Sequence, residues 1–301
     1  MRLPASLDDL TQFMSENTQT PLLHRLPMTM LKLFAARMMY RSLKLLLRDD
    51  RRRIRRGGIN YEVDLSEGID LSLFLFGGFQ NHVTNTKYFS LPADAVVFDI
   101  GANIGGTALR FAQRVPYGLV YAFEPTAYAY QKLLTNLSLN AELAARVTPI
   151  QAFVSDQAIS NCSIAAYSSW KIDGSAVMAH PLHGGVMQTA ESIDAVTIDD
   201  FCKGNEITRL DLIKIDTDGH EFQILRGARL TLERYLPHII FEAGLYLIEE
   251  RGDSFEQYVD YLSAFGYSLI NSSNGHQITR DNYRREIPLR STTDVVATPQ
   301  G

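Results

Sequence analysis

Residues Val96 to Gly105, with the sequence VVFDIGANIG, contain the pattern that decides the fold of this chain. An apolar run is interrupted by Asp99 and leads into a Gly-x-Asn-x-Gly loop, and a helix-like segment begins at Thr107. A short, nearly continuous apolar run is typical of a buried parallel strand. Glycines directly after the strand let the backbone turn tightly and approach a ligand closely. The pattern therefore predicts a nucleotide-type site at the carboxyl ends of a doubly wound α/β sheet.

The next apolar run and the acid that follows it narrow the choice of ligand. Glu124 comes 23 residues after Gly101, where an acid commonly hydrogen-bonds a ribose hydroxyl. Asn103 replaces the middle glycine of a dinucleotide fingerprint, which disfavours close approach of a pyrophosphate. The carboxylate of Asp99 favours a ligand that carries an amino group. Both S-adenosylmethionine and NAD contain an adenosine ribose, but these residues favour S-adenosylmethionine.

The rest of the chain indicates how the fold is organised. From residue 95 onward apolar runs alternate with helix-like segments, which predicts βαβ units around a parallel sheet. An earlier apolar run over 71–76 predicts a short strand, and the polar stretch 161–192 predicts a hairpin with a long loop. Further core strands are predicted over residues 147–154, 210–215, 238–241, 267–270 and 294–298. The sequence predicts an N-terminal helical and β-hairpin extension followed by a cofactor-binding domain over 95–301. The extension consists of a basic amphipathic helical segment over 1–57 and a short-stranded lead-in arm over 58–94.

Composition and charge exclude some functions. The chain is 46% hydrophobic and 21% charged, as in ordinary globular proteins, and its two cysteines lack the spacing of a metal site or a disulfide framework. We therefore expect a cytoplasmic protein. Residues 1–60 carry a net charge of +7 and the remainder carries −12, so the acidic main domain disfavours nucleic-acid binding. The basic amphipathic pattern over 31–48 indicates a helix packed on the main domain or weak peripheral contact with an anionic membrane.

Polar residues after two later strands are candidates for catalysis. Asp216 and Asp218 follow the fourth core strand, His220 and Glu221 open the next helix, and Glu242 ends the fifth strand. A positioned base can assist transfer of a group to a hydroxyl, and we predict Asp216, His220 and Glu242 as the catalytic residues. Whether His220 or Glu242 is the base stays open. Asp216, Asp218 and Glu221 offer the oxygen ligands that Mg²⁺ prefers, but nothing in the pattern requires a metal and we predict none.

Four segments together resemble the FkbM-type family of S-adenosylmethionine-dependent methyltransferases. The chain departs from the family pattern at Gln80, where an acid is frequent, and at Asp218, where many members have Glu. The departure at Gln80 puts any role of that position in doubt. The resemblance extends from the neighbourhood of Tyr61 to that of Val296. The segments that carry it are Phe98–Gly105, Ala122–Pro125, Leu212–Glu221 and Leu225–Ala228.

The resemblance implies a class I methyltransferase fold, with a mostly parallel seven-stranded sheet whose last strand is antiparallel. It also implies S-adenosylmethionine as the cofactor and methyl transfer to an oxygen of a small molecule or glycan. Glu124 would hold the ribose, Asp156 the adenine amino group, and Asp216 would lie near the reacting methyl. The predicted cofactor-binding residues are Asp99, Gly101, Ala102, Asn103, Gly105, Thr107, Glu124, Pro125, Ser155, Asp156 and Asp216.

Two alternative functions remain at this point. An NAD-dependent oxidoreductase is disfavoured by Asn103 and by the lack of a separate substrate domain. A non-catalytic cofactor-binding module, docked to a membrane or a partner, is disfavoured by the intact acids Asp99, Glu124 and Asp216. The sequence predicts neither the identity of the methyl acceptor nor the oligomeric state.

Overall fold

The computed structural model describes residues 37–45, 47, 49–76, 80–168 and 186–300. The first part of the predicted basic helix and residues 169–185 of the predicted long loop lie outside these ranges. The strands are β1 Arg51–Arg56, β2 Ile59–Asp64, β3 Val96–Ile100, β4 Leu119–Phe123, β5 Val147–Ile150, β6 Phe153–Val154, β7 Ile159–Ser168, β8 Val186–Val196, β9 Leu212–Ile215, β10 His238–Ala243, β11 Tyr267–Asn271, β12 Gln277–Ile278 and β13 Thr293–Pro299. The helices are α1 (37–45), α2 Gly68–Phe76, α3 Asn81–Thr84, α4 Gly106–Arg114, α5 Ala127–Ser138, α6 Ala141–Ala144, α7 Ile198–Gly204, α8 Glu221–Arg226, α9 Arg229–Tyr235, α10 Leu245–Glu250, α11 Phe255–Ala264 and α12 Tyr283–Glu286.

The central sheet has the strand order β12-β11-β13-β10-β9-β3-β4-β5. Strands β10, β9, β3, β4 and β5 run parallel, and β13 lies antiparallel between β10 and β11. The predicted fold class is confirmed: seven strands form the expected sheet, the last strand of the chain is antiparallel, and the two-residue β12 adds an eighth at the edge. The carboxyl ends of the five parallel strands therefore meet at one edge of the sheet.

Apolar side chains cover both faces of this sheet. Val97 and Phe98 are adjacent in β3 and fully buried, yet they belong to two different hydrophobic clusters. Successive side chains of a strand point to opposite faces, so a sheet that is packed on both sides needs apolar residues at nearly every position. This requirement explains the nearly continuous apolar runs in the sequence.

The predicted strand over 147–154 is wrong in one respect, because it is divided between two sheets. β5 ends at Ile150, and β6 pairs in parallel with β8 in a separate three-stranded sheet of order β6-β8-β7. Within it, β7 and β8 are antiparallel, which confirms the hairpin predicted in the polar stretch 161–192. The backbone N–H of Ser155 donates to the Val196 carbonyl at 2.9 Å, so the second sheet fixes the chain just after β6.

A β-hairpin, expected as part of the N-terminal extension, joins the basic segment to the lead-in arm, and its first strand occupies residues 51–56, which were predicted to be helical. β1 and β2 pair from Arg51 opposite Asp64 to Arg56 opposite Ile59, and the predicted boundary at 57/58 falls in their turn. Gly57 and Gly58 both have positive φ, of 57° and 84°, as a tight two-residue turn of the hairpin requires. The two glycines therefore set a strand register that the run of arginines does not reveal.

The free edge of β2 is covered by side chains of the main domain. The backbone N–H of Glu62 donates to Asn136 Oδ1 at 2.7 Å, and that of Asn60 donates to Asn140 Oδ1 at 2.9 Å. Asn140 Nδ2 in turn donates to the Asn60 carbonyl at 2.7 Å. The hairpin is thus attached to the main domain through main-chain groups of β2.

The predicted strand over 71–76 is wrong, because these residues belong to helix α2. A short apolar run does not by itself distinguish a strand from a buried helix. Asp70, in the first turn of α2, lies 2.5 Å from Lys132 Nζ, and Glu67 lies 2.9 Å from the same atom. These buried ion pairs fix the helix against α5. Burial raises the pKa of Asp70 to about 6, against the effect of Lys132.

The basic segment is only partly described. Of its helix, residues 37–45 are seen, with Tyr40 buried and Leu45 exposed. No helix within the described ranges has the length and apolar character needed to cross a bilayer. The predicted membrane contact stays a prediction.

Candidate active site

The glycine loop after β3 touches the end of β9 backbone to backbone. Gly101 has a φ of 77°, and a Cβ atom there would lie 1.9 Å from the Asp216 carbonyl oxygen. Only glycine fits this position. The backbone N–H groups of Gly101 and Ala102 both donate to the Phe123 carbonyl, at 3.0 and 2.9 Å. The loop is therefore fixed between the ends of β4 and β9.

The same loop leads into helix α4 through a second constrained glycine. Gly105 has a φ of 85°, and a Cβ atom there would lie 2.6 Å from Leu133 Cδ1. Asn103 also has a positive φ, of 49°, a conformation that asparagine adopts more readily than most residues. The predicted loop residues thus form a tight turn at the N-terminus of α4.

A buried ion pair supports the loop from below. Asp99 Oδ2 accepts a hydrogen bond from Thr107 Oγ1 at 2.7 Å, and Asp99 Oδ1 lies 3.0 Å from Lys214 Nζ. Lys214 also donates to the Gly101 carbonyl at 3.0 Å. Burial alone would lower the pKa of Lys214, but the carboxylates of Asp99 and Asp216 outweigh it and the pKa is raised. Asp99 is wholly buried, so the structure places it beneath the loop, and its direct contact with a ligand stays a prediction.

The role of Lys214 was missed by the sequence reasoning. It lies in β9, whose four residues are all buried, and it pairs in register with Asp99 of β3. A charged residue inside a buried strand needs a partner of opposite charge, and the neighbouring apolar run contains one acid. The sequence therefore contained a signal for the pairing of Lys214 with Asp99.

Glu124 joins the glycine loop to the segment after β4. Its Oε2 accepts from the Asn103 backbone N–H at 3.0 Å, while Oε1 accepts from the N–H and hydroxyl of Thr126 at 2.9 and 2.6 Å. Burial raises the pKa of Glu124, against the effect of these donors. A carboxylate oxygen can accept two hydrogen bonds, so Oε2 keeps capacity for a ligand hydroxyl. Pro125 is half-buried beside it.

Ser155 and Asp156 lie where β6 ends. Asp156 Oδ2 is 2.9 Å from Arg226 Nη2, and the Asp156 side chain is 26% exposed. A Cβ atom on Gly227 would lie 2.2 Å from the Ser155 carbonyl oxygen, so Gly227 permits this close packing. Helix α8 ends at Arg226, directly before Gly227, and α9 begins at Arg229.

Asp216 receives a side chain from the lead-in arm. Gln80 Nε2 donates to Asp216 Oδ2 at 2.6 Å, and Lys214 Nζ lies 3.7 Å from the same oxygen. His82 contacts Asp294 of β13, and this hydrogen bond raises the pKa of His82. Gln80 and Asp216 are 136 residues apart, and no periodicity or motif signals their contact.

Two further carboxyls near Asp216 have strongly perturbed ionisation. Burial, together with the neighbouring charge of Asp216, raises the pKa of both Asp218 and Glu242 well above the ordinary value. Asp294 adds to the effect at Glu242, and a hydrogen bond with Thr292 opposes it. The ends of β9, β10 and β13 thus bring together acids that destabilise one another's charged forms.

His220 lies on the other side of this edge. Its ring packs edge-on against Phe153 of β6, with centroids 5.0 Å apart, and its Nδ1 is 3.0 Å from Gln223 Oε1. With that oxygen as acceptor, Nδ1 is assigned the hydrogen and Nε2 is left as a bare acceptor atom. Burial lowers the pKa of His220. Nε2 is buried without a hydrogen-bond partner among the described residues.

Glu221 closes the turn before α8. Its Oε1 accepts from the backbone N–H groups of Thr217 and Gly219, at 3.0 and 3.2 Å. Within the described ranges, no group of three or more histidine, cysteine or acidic side chains is arranged to hold a metal ion. Glu221 Oε1 is thus engaged by backbone groups of the chain itself.

Comparison with known proteins identifies a family whose domain matches this chain. The Methyltransferase FkbM domain matches residues 99–269, which is more than half of the chain. This range contains the glycine loop, both ion-pair partners Asp99 and Lys214, and the acids Glu124 and Asp216.

Relatives of known activity are distant. The hexuronic acid methyltransferase AglP of Haloferax volcanii is 23% identical over 140 residues, covering 46% of this chain and 52% of that protein. The 2-O-methyltransferase NoeI of Sinorhizobium fredii is 27% identical over 154 residues, covering 47% of this chain and 60% of that protein. The chain thus spans between half and two thirds of the length of these relatives. A solved FkbM methyltransferase from Methylobacillus flagellatus is 18% identical with a TM-score of 0.46, covering 70% of this chain and 45% of that one.

Proposed function

Since the chain belongs to the FkbM methyltransferase domain family, we propose that it transfers a methyl group from S-adenosylmethionine to a hydroxyl oxygen of a sugar, glycan or secondary metabolite. One observation carries the proposal: the Gly101 loop, Glu124 and Asp216 meet at the carboxyl ends of adjacent parallel strands, where α/β sheets bind their ligands.

The residues around the loop fit this cofactor. The loop approaches the end of β9 so closely that a side chain at Gly101 would overlap it, and Glu124 keeps acceptor capacity for ribose hydroxyls. Asp156, partly exposed, is available to an adenine amino group. When bound, the cofactor supplies an activated methyl group. The chain then has to hold the acceptor oxygen in line with this methyl group. Its contribution to the rate is mainly an effect of proximity and orientation.

Asp216 is the proton acceptor in this proposal. It lies at the end of β9 and is 23% exposed, so its carboxylate can meet an entering hydroxyl. His220 fits less well, because its Nε2 is buried and its ring packs on Phe153. Glu242 lies among the same acids, and burial together with their charges raises its pKa. We therefore assign the base to Asp216 and a supporting role to Glu242.

The sugar acceptor is suggested by the relatives. One is named for a hexuronic acid, which is a sugar acid, and another is named for methylation at a 2-O position. We propose a sugar hydroxyl as the methyl acceptor of this chain as well.

The test has two stages. Calorimetric titration of the full chain should detect S-adenosylhomocysteine but not NAD⁺, and binding of NAD⁺ alone would contradict the cofactor assignment. Transfer of labelled methyl from S-adenosylmethionine is then measured on a panel of hexuronosides, neutral hexosides and phenolic metabolites. We expect transfer to hexosides or hexuronosides, and Asp216→Asn should abolish it while S-adenosylhomocysteine still binds. Transfer to the phenols alone would overturn the sugar assignment.

A further inference from the structure

Within the described part of the lead-in arm, Gln80 is the residue whose side chain donates a hydrogen bond to Asp216. Resting on the proposed function, we infer that Gln80 is a positioning residue, which holds the carboxylate of Asp216 where the methyl group and the acceptor meet. The sequence pattern gave this position no role, and an acid is frequent there in the family that the chain resembles.

The chemistry of the contact fixes the orientation of the amide. A carboxylate only accepts hydrogen bonds, so the NH₂ group of Gln80 must face Asp216 Oδ2, 2.6 Å away. The other amide atom, Oε1, is buried and has no hydrogen-bond partner within the described ranges. Among the described residues, the hydrogen bond of the Gln80 side chain is therefore the one to Asp216.

The backbone at Gln80 is strained. Its φ and ψ of 51° and 40° lie in the left-handed region, which few residues other than glycine and asparagine adopt readily. Strained backbone of this kind persists only where the surrounding structure enforces it, and it concentrates at functional sites. The contact between His82 and Asp294 holds the same arm segment two residues further on.

The charges around Asp216 explain why an amide suits this place. Asp216 lies near the ammonium group of Lys214 in β9, and it interacts electrostatically with the carboxyls of Asp218 and Glu242. The charged and titratable groups that interact with these two carboxyls also include Asp294, Glu221, Glu124, Arg251 and Tyr246, and His82 contacts Asp294. An acid in place of Gln80 would add a further carboxyl to this cluster. An amide donates a hydrogen bond without adding charge, so it fixes Asp216 while leaving the carboxylate able to interact with a cation.

The consequence is measurable without knowing the methyl acceptor. S-adenosylmethionine carries a sulfonium cation, whereas the sulfur of S-adenosylhomocysteine is uncharged. A carboxylate held near the methyl group favours the cation, so Asp216 should raise the affinity for S-adenosylmethionine relative to S-adenosylhomocysteine. Loss of a merely structural residue would weaken both ligands alike and leave their affinity ratio unchanged.

The experiment is a double-mutant cycle on the full chain, with both dissociation constants measured by calorimetry. Gln80→Met keeps the shape and removes the donor, Asp216→Asn removes the charge, and exposed Gln131→Met on α5 is the matched control. Thermal unfolding monitors folding. If Gln80→Met does not fold, Gln80→Gly replaces it, because glycine suits the positive φ.

We expect each single substitution to reduce the affinity ratio by about fivefold to tenfold, and the double variant to lose no more than Asp216→Asn alone. An unchanged ratio in both Gln80→Met and Gln80→Gly, or additive losses in the double variant, would overturn the positioning role. An unchanged ratio in Asp216→Asn would also overturn it, although binding of both ligands would keep the proposed cofactor. Failure of the wild-type chain to bind either ligand would instead defeat the proposed function.

Discussion

The acids on the two sides of the candidate site differ in the hydrogen-bond donors available to them. On the cofactor side, defined here by Asp99 and Glu124, the carboxylates are engaged by Thr107, Lys214, Asn103 and Thr126. On the acceptor side, defined by Asp218 and Glu242, burial and neighbouring acids raise the pKa well above the ordinary value. The carboxylates on the side proposed for the cofactor are thus held by hydrogen bonds and an ion pair, whereas the side proposed for the acceptor contains the two carboxyls whose pKa is raised most strongly.

The largest expected loss of stability follows from removing Lys214, the buried cation beside Asp99. Lys214→Met should destabilise the protein by about 3–5 kcal/mol, because it leaves Asp99 buried without its charge partner. Urea unfolding measures the change. Arg229→Met, which removes an exposed ion pair with Glu233, is the control and should cost less than about 1 kcal/mol. Equal losses in the two variants would refute the supporting role of Lys214.

A methyl group at Gly101 tests the backbone contact between the loop and β9. Gly101→Ala should cost about 3 kcal/mol, since it combines an unfavourable positive φ with overlap on the Asp216 carbonyl. Gly252→Ala shares the positive φ but has no atom within 4 Å of the added carbon, so it should cost only about 1 kcal/mol. The difference in unfolding free energy isolates the overlap, and no difference would argue against the close approach.

Loss of the Glu124 charge should weaken ligand binding more than it destabilises the fold. Glu124→Gln is expected to weaken S-adenosylhomocysteine about tenfold or more, because one charged acceptor becomes a mixed donor and acceptor. Calorimetric titration gives the affinity, with exposed Glu206→Gln as the matched control. Wild-type affinity in Glu124→Gln would remove the predicted ribose contact.

The smallest effect concerns the acceptor side and depends on pH. A carboxyl whose folded pKa is raised costs stability as pH rises through the interval between its unfolded and folded values. For Glu242 that interval begins near 4.5, so wild-type stability should fall from there upward. Glu242→Gln should lose this decline and become the more stable protein at higher pH. Unfolding curves from pH 4 to 8 measure it, with exposed Glu249→Gln as control, and parallel profiles for all three proteins would contradict the assignment.

Sequence reasoning named the acids on both sides, but it missed two of the side chains that contact them. The Gly101 loop, Glu124 and the alternation of strands with helices follow from local patterns. Lys214 was missed although a charge within an apolar strand signals a buried pair. The contact of Gln80 with Asp216 joins distant residues, so no local pattern encodes it.

Errors in the arm had a different cause. The run over 71–76 is apolar at so many positions that its pattern fits a helix and a strand equally well. The ion pairs of Glu67 and Asp70 with Lys132 of α5 stabilise it as a helix. The arginines of β1 were included in the predicted helical segment, whereas the two glycines that follow them allow a hairpin turn.

The side-chain amides that meet β2 also bear on how the protein behaves at high concentration. An exposed strand edge is a template for pairing with another chain, and proteins avoid aggregation by blocking it. Asn136 and Asn140 occupy main-chain groups of Asn60 and Glu62 that a foreign strand would need. The β2 edge of this two-stranded ribbon is therefore protected against pairing with a strand of another molecule.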